Sequence, residues 1–338
     1  MNRSPTEPPT QEAGGRTVLA AWLGVAFCIR VAGILLAYYP TIDSGTVGLM
    51  ACHILEGERP LFFSGQQYMG ALEAYVAAFF VSWMGPSILA ISLSPILFSL
   101  GWIVAVWMLV RELYGLRAAH AAAAIAAVPP WHVLWYSIGT YGGYPATWFF
   151  AAFGLWLVIR EWKTGPGGPG TVLRFTGLGI CSGLGVWTNP QSVMVLAVGW
   201  TTATVYALKH RAYARSLIVP AFLCMLSAAV TALPVILAAL RGADSGMMTA
   251  WSFSPPILLE RAESFLLAGL FILTWSREEM HAAWTLLVGL CIATGGFLLL
   301  LSLLRSPAGK EVLRKLAPAL VLASCTLFVL PHNMAAEQ

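Results

Sequence analysis

The sequence predicts an all-α polytopic membrane protein with about nine transmembrane helices, and two observations support that prediction. Of the 338 residues, 58% are hydrophobic and only 10% are charged, whereas a soluble globular domain carries roughly 25% charged residues. Apolar runs of about 18 to 25 residues, the length that crosses a hydrocarbon core of about 30 Å, recur along the chain. This composition excludes a soluble domain, and nothing in the sequence indicates nucleic-acid binding.

The chain divides into a short polar tail and a single membrane domain. Residues 1–16 are polar and Pro-rich and are predicted to form a disordered cytoplasmic tail, and residues 17–338 form the transmembrane domain. The first apolar run is too long for a signal-peptide core, so we expect an uncleaved helix. The candidate spans are roughly 17–39, 87–110, 118–136, 145–160, 172–188, 191–208, 216–240, 282–304 and 316–331.

The topology depends on segment 67–84, which is nearly long enough to cross. Cytoplasmic loops hold the excess of Lys and Arg. Most of the 19 basic residues fall on the cytoplasmic side if 67–84 stays on the outer surface, and on the outside if it crosses. The sequence therefore predicts a non-crossing segment and a cytoplasmic N-terminus. Residues 40–86 and 241–281 then become two large extracytoplasmic loops.

The first of these loops, 40–86, concentrates polar residues directly after the first helix. Residues 44–56 have helical periodicity, with Asp43 or Ser44 as the expected N-cap and Gly57 after the C-terminus. Their apolar positions follow i, i+3, i+4, i+7 and i+8: Val47, Met50, Ala51, Ile54 and Leu55. A second helix is predicted from about Gln67, with Glu73 on its first turns. The loop is thus expected to form two juxtamembrane helices that lie on the bilayer.

Two readings of the ionisable residues stay open at this point. Asp43 is either a simple helix cap or a functional carboxylate, and Glu73 is either a solvated surface residue or part of a site. Ionisable residues at membrane depth indicate function, and these occur as a group. Arg30, inside the first span, is expected to snorkel to the interface or to pair with an outer carboxylate.

Several short motifs occur in order along residues 17–210. They are A-x-x-I-L-x-G-x-x-P at 51–60, Q-x-Y-M-G-x-L-E-A-Y at 66–75, R-E-L-Y-G-x-R-A-A at 111–119, G-G-Y at 142–144 and an aromatic-Thr-Asn-Pro turn at 187–190. Together with the Asp that opens the first outer loop, they resemble the GT-C superfamily of membrane glycosyltransferases. The protein O-mannosyltransferase and aminoarabinose-transferase branch is the most similar.

The resemblance implies a GT-C-like fold and transfer of a sugar from a polyprenyl-phosphate carrier. The acceptor would be a lipid, glycan or protein on the outer face of the plasma membrane. Asp43 would be the catalytic base, and Glu73 the second catalytic residue, orienting donor or acceptor. The substrate-binding residues would be Arg59, Gln66, Gln67, Tyr68, Tyr141, Tyr144 and Asn189. No cofactor is certain, and a divalent metal ion stays open. One of the outer arginines at 59, 241, 261 and 277 would bind the phosphate of the carrier.

The sequence also departs from the family pattern. Relatives with this loop pattern tend to carry an Arg before Gly-Gly-Tyr and an acidic residue two places after it, where this chain has Tyr141 and Ala146. The chain is also expected to lack the usual C-terminal part. The alternative is a non-catalytic or degenerate homologue, a lipid-carrier-binding subunit or a transporter. A transporter is expected to show inverted repeats and charges near mid-membrane, whereas the ionisable residues here gather at one face.

Overall fold

Helices form almost all of the part of the chain that the structure describes. The computed structural model describes residues 9–165, 169–189, 192, 196, 199–200 and 214–240. The elements are α1 (Pro9–Ala37), α2 (Ile42–Leu55), β1 (Phe62–Phe63), β2 (Gln66–Gly70), α3 (Leu72–Met84), α4 (Ile88–Tyr114), α5 (Leu116–Ala127), α6 (Trp131–Ile138), α7 (Tyr144–Thr164), α8 (Pro169–Thr188), α9 (Ala214–Thr231) and α10 (Leu233–Leu240). The loop 241–281, the spans 282–304 and 316–331 and most of the span 191–208 lie outside the described residues.

Two of the described helices are long and apolar enough to cross a membrane. They are Gly14–Ala37, within α1, and Ile88–Tyr114, which is α4. Helices α5 and α6 pass the same test only as a pair, bent by 72° at the break between them. Apolar helices of this length are those of a membrane protein, so the predicted class is confirmed. Of the nine predicted spans, the described part supports two, or three if the bent pair is one span.

The packing of α5 and α6 favours a single broken crossing. Helix α5 packs against the first half of α1, at Leu19 and Trp22, and against the second half of α4, at Trp107. Ile138, the last residue of α6, packs instead against Ile34 and Ile96, which lie at the other ends of those two helices. A re-entrant loop would return to the side on which it began, whereas this pair passes from one end of α1 to the other.

Arg30 lies at this break and is completely buried. Its guanidinium donates to the Ala126 and Ala127 carbonyls at the end of α5, at 3.4 and 3.3 Å. It also donates to the Ser99 hydroxyl of α4 at 2.8 Å and to the Ala26 carbonyl at 3.1 Å. The expectation that Arg30 snorkels or pairs with an outer carboxylate is therefore wrong. Its donors satisfy carbonyls that a broken helix would otherwise leave without partners in lipid.

The loop after α1, residues 40–86, contains a β-hairpin that the all-α prediction missed. Strands β1 and β2 pair antiparallel, with Phe62 opposite Gly70 and Phe63 opposite Gln66. The second helix of the loop therefore begins at Leu72 and not near Gln67, although Glu73 does lie in its first turn. The helix predicted at 44–56 is α2, and its predicted apolar residues Val47 and Met50 are buried.

Helices α3 and α4 form an antiparallel hairpin about the turn at Gly85. Ala77, Ala78 and Val81 of α3 pack with Ile91 of α4 and with the buried face of α2. Further along, the Ser94 hydroxyl of α4 donates to the Glu73 carbonyl at 3.1 Å. The small side chains of α3 permit this close approach, which fixes the backbone that carries Glu73.

Charged residues gather at the opposite end of α4. Glu112 pairs with Arg160 at 2.9 Å and with Lys163 at 3.9 Å. Glu161, near the end of α7, accepts from Arg174 at 2.6 Å and from the Thr171 hydroxyl at 3.0 Å. Ser94 and Glu112 are 18 residues apart, or about 27 Å along a helix. The basic residues and Glu73 therefore lie near opposite ends of α4.

Candidate functional site

Glu73 is the most deeply buried acidic side chain in the described part of the chain, with an exposed fraction of only 2%. One carboxyl oxygen, Oε2, accepts the backbone N–H of Gly143 at 2.8 Å. The other oxygen, Oε1, is buried and has no hydrogen-bond partner among the described residues. A buried polar atom without a partner costs free energy, which makes Glu73 a candidate functional residue.

The surroundings of Glu73 favour its neutral form. Burial, with a smaller contribution from the nearby negative charge of Asp43, raises the pKa of the Glu73 carboxyl to about 8. The N–H groups of Gly143 and Gly142 oppose this shift because they stabilise the carboxylate. Glu73 is therefore mostly protonated at neutral pH.

The turn that meets Glu73 depends on two consecutive glycines. Gly142 and Gly143 have φ of +80° and +87°, in the left-handed region that favours glycine. A Cβ on Gly142 would lie 2.5 Å from Met69 Sδ, and one on Gly143 would collide with Thr188 Cγ2. The G-G-Y motif is thus required here by backbone conformation and by close packing against β2 and α8.

Replacing Gly143 with alanine is expected to destabilise the protein by about 1–3 kcal/mol, because it adds backbone strain to a steric clash. Thr188→Ser removes the colliding methyl group and keeps the hydroxyl that donates to the Leu184 carbonyl at 2.7 Å. The double variant Gly143→Ala/Thr188→Ser should recover the stability lost to the steric clash. It should keep the loss that is due to backbone strain. Thermal unfolding in detergent measures both effects.

The control for this series is Gly45→Ala. Gly45 is an exposed helical position, and a Cβ there would meet nothing within 4 Å. That variant should be at least as stable as the wild type, because alanine favours a helix more than glycine does. A Gly143→Ala variant as stable as the control would contradict the packing described for the turn.

The β-hairpin lies against the end of α8. The Trp187 indole donates to the Leu61 carbonyl at 2.7 Å, and the Asn189 amide contacts Met69 Sδ at 3.8 Å. Gly70 lies so close to Trp187 that any Cβ would collide with its carbonyl. Three motifs that are far apart in the sequence, at 66–75, 142–144 and 187–190, therefore meet around Glu73.

Asp43 lies in the first turn of α2 and is half-buried. The predicted N-cap is wrong by two or three residues: Thr41 is the N-cap, and its hydroxyl accepts from the Ser44 N–H at 3.4 Å. Asp43 is therefore not the capping side chain, and its charge acts on Glu73. This proximity brings the two predicted catalytic carboxylates into one site.

Aromatic rings cluster beside the Gly142–Gly143 turn that contacts Glu73. Tyr38 contacts Trp135 with ring centroids 5.3 Å apart, and Tyr136 contacts Tyr141 and Tyr144 at 5.1 and 4.9 Å. The Tyr38 hydroxyl shares a 2.5 Å hydrogen bond with the Ser44 hydroxyl. Burial raises the pKa of both Tyr38 and Tyr141, so both hydroxyls stay neutral at physiological pH. Aromatic surfaces with a few converging polar groups are typical of sites for small molecules.

The structure brings five of the predicted site residues together and leaves others elsewhere. Those that meet are Asp43, Glu73, Tyr141, Tyr144 and Asn189. Arg59 is exposed at the far end of α2, where it donates to the carbonyls of Ile54 and Glu58 at 3.3 and 2.7 Å. Gln66 is half-buried at the start of β2. The side chains of Gln67 and Tyr68, and the arginines at 241, 261 and 277, lie outside the described residues.

Sequence reasoning missed several residues of the site. They are Tyr38, Ser44, Met69, Thr140 and Thr188. Thr140 is completely buried, and its hydroxyl, like Glu73 Oε1, has no partner among the described residues. Tyr38 and Ser44 flank the predicted Asp43, so proximity in the sequence was a usable signal for those two.

The described residues offer no assembled metal site. No group of three or more His, Cys, Asp or Glu side chains in that part of the chain could hold a metal ion.

Comparison of the chain with protein-family models, with characterised proteins and with solved structures finds no match. The fold and the site define the class as a helical membrane protein in which a buried carboxyl, Glu73, lies near a half-buried one, Asp43.

Proposed function

We propose that this protein is a glycosyltransferase that moves a sugar from a polyprenyl-phosphate carrier to an acceptor on the extracytoplasmic face of the plasma membrane. Its fold would be GT-C-like, with about nine spans and a cytoplasmic N-terminus. The observation that carries the proposal is the pair Asp43 and Glu73, with Glu73 Oε1 buried and without a partner. Group transfer to a hydroxyl or amine requires a positioned proton acceptor, which a carboxylate in a site with little water can provide.

The depth of the site supports a lipid-linked substrate. Helix α4 has 27 residues, which is about 40 Å and longer than the hydrocarbon core of about 30 Å. Ser94, which bonds the Glu73 backbone, lies six residues into this helix, or about 9 Å from its start. With α4 centred in the bilayer, Glu73 lies near the level where a lipid phosphate meets the hydrocarbon.

The charge distribution supports an outward-facing site. Basic residues surround Glu112 at the other end of α4, and basic loop residues favour the cytoplasm. The end of α4 that lies next to Glu73 would then face outward. Aromatic rings beside the Gly142–Gly143 turn would give the apolar faces of a sugar a surface to pack on.

A transporter is the second candidate, and the broken crossing α5–α6 favours it, because interrupted helices near mid-membrane often bind transported ions. In this protein, however, Arg30 already occupies the carbonyls at the break. The unpartnered carboxyl oxygen lies at the Glu73 site instead. The transferase proposal accounts for that oxygen and for the aromatic surfaces beside the turn.

The test uses the full chain in proteoliposomes with polyprenyl phosphates that carry a radiolabelled hexose or pentose. Release of label from the lipid is measured for the wild type, for Asp43→Asn and for Glu58→Gln, a matched control at the exposed far end of α2. We expect Asp43→Asn to lower the rate at least about 100-fold and Glu58→Gln to leave it unchanged. Unchanged transfer in Asp43→Asn, or no transfer by the wild type from any donor, would overturn the proposal.

A further inference from the structure

The two carboxylates of the site lie in different environments. Asp43 is half-buried in the first turn of α2, where the positive end of the helix dipole favours its ionised form. Glu73 is 2% exposed and packed between α3, the Gly142–Gly143 turn and the end of α8. Where two titratable groups differ in this way, their surroundings assign them different roles.

The geometry of Glu73 is that of an anchored proton acceptor. The hydrogen bond from the Gly143 N–H holds Oε2, and the Ser94 hydroxyl holds the Glu73 backbone. These contacts orient the side chain and leave Oε1 as the one carboxyl oxygen without a partner among the described residues. Asp43 lacks such burial, and stabilisation of its carboxylate by the helix dipole makes it a weaker base.

We infer that Glu73, through Oε1, is the general base of the transfer reaction, and that Asp43 stays ionised and stabilises positive charge developing on the sugar. This inference rests on the proposed function and reverses the roles that the family resemblance implies. In the step, the acceptor oxygen or nitrogen forms a bond to the anomeric carbon and its proton passes to Glu73 Oε1. The bond between that carbon and the phosphate oxygen breaks, and polyprenyl phosphate leaves with the electron pair.

The groups that face Glu73 define the pH dependence of this step. The titratable ones are Asp43 of α2 and Tyr38 after α1, and Tyr141 lies beside Gly142 in the turn. From α4 and α8 the neighbours are the neutral Ser94, Thr188 and Asn189. Only Asp43 carries charge at neutral pH, and it favours the protonated form of Glu73. The base is therefore present only after Glu73 ionises, and the rate should rise with pH through about 8 and then level.

The first experiment measures the pH dependence of transfer in proteoliposomes, with the donors described above, between pH 5.5 and 9.5, a range of about four pH units around that value. Below the pKa of Glu73, the transfer rate of the wild type should rise roughly tenfold per pH unit. In Glu73→Gln the transfer rate should be at least about 100-fold lower, and its pH profile should have no inflection. Glu73→Asp, one methylene shorter, keeps a titrating carboxyl and should keep an inflection at a lower rate. In Asp43→Asn the residual rate should keep the inflection, moved to lower pH because a negative charge is removed.

Two outcomes separate the inference from the function on which it rests. Wild-type transfer with an inflection that persists in Glu73→Gln, or that disappears in Asp43→Asn, would overturn the role of Glu73 and leave the function standing. Absence of transfer by the wild type would overturn both.

A second measurement does not depend on activity. Dicyclohexylcarbodiimide is an apolar reagent that modifies protonated carboxyls, and mass spectrometry locates the adduct. We expect an adduct on Glu73 at pH 6 that decreases as the pH rises through about 8, and none on Asp43. Modification of Asp43 alone, or an unmodified Glu73 at every pH, would contradict the assignment of Glu73 as the group that takes up the proton.

Discussion

Arg30→Met is expected to cause a large loss of stability, about 2–4 kcal/mol, in the membrane domain. The variant keeps an unbranched apolar stem but leaves the carbonyls of Ala126 and Ala127 and the hydroxyl of Ser99 without their donor. Each buried polar group left without a partner costs about 1–3 kcal/mol, and loss of the buried charge offsets part of the total. Thermal unfolding of the protein in detergent, followed by Trp fluorescence, measures the effect.

Arg30→Lys makes the same test more specific. Lysine keeps the charge, but it is a single point donor and cannot spread its hydrogen bonds over α4 and two carbonyls of α5 as the planar guanidinium does. It should therefore recover only part of the loss. Arg16→Met, at an exposed position of the same helix, should unfold like the wild type. If Arg30→Lys is as stable as the wild type, the charge of Arg30, and not the geometry of its hydrogen bonds, is what stabilises this break.

Glu73→Gln is expected to make the protein more stable at alkaline pH. The folded pKa of Glu73, about 8, lies above its ordinary value of 4.5, so the folded state holds the proton more tightly than the unfolded state. The resulting stabilisation is complete below about pH 4.5, decreases as the pH rises and is lost once the pH passes about 8. Between those two pH values, the free energy of unfolding of the wild type should fall by on the order of a few kcal/mol. That of Glu73→Gln should not show this fall.

The measurement is the free energy of unfolding of both proteins between pH 5 and 9, about the interval over which Glu73 ionises. Glu112→Gln serves as the control, because Glu112 is paired with Arg160 at the other end of α4. This variant should still lose stability at alkaline pH. Asp43→Asn should move the loss to lower pH, since the Asp43 charge contributes to the raised pKa of Glu73. Parallel stability curves for wild type and Glu73→Gln would show that Glu73 is not buried in the form described.

The sequence predicted which residues come together better than it predicted the local structure around them. Asp43, Glu73, Tyr141, Tyr144 and Asn189 were predicted from short motifs, and all five lie together. The hairpin at 62–70 was missed because its strands are only two and five residues long, too short for alternation to be distinguished from a helix entrance. Arg59 was included because it lies in the same loop, and the length of α2 separates it from the carboxylates.

The sequence by itself determined the membrane class, the apolar face of α2 and the pair of glycines at 142–143. These follow from hydropathy, periodicity and backbone conformation, which are properties of contiguous residues. Only the tertiary structure decided that Glu73 is buried, that its Oε1 lacks a partner and that Arg30 fills the break in α5–α6. Those facts depend on contacts such as Gly143 to Glu73, Arg30 to Ala127 and Trp187 to Leu61, which are 70, 97 and 126 residues apart. No local pattern encodes such contacts, because they exist only after the helices pack and exclude water.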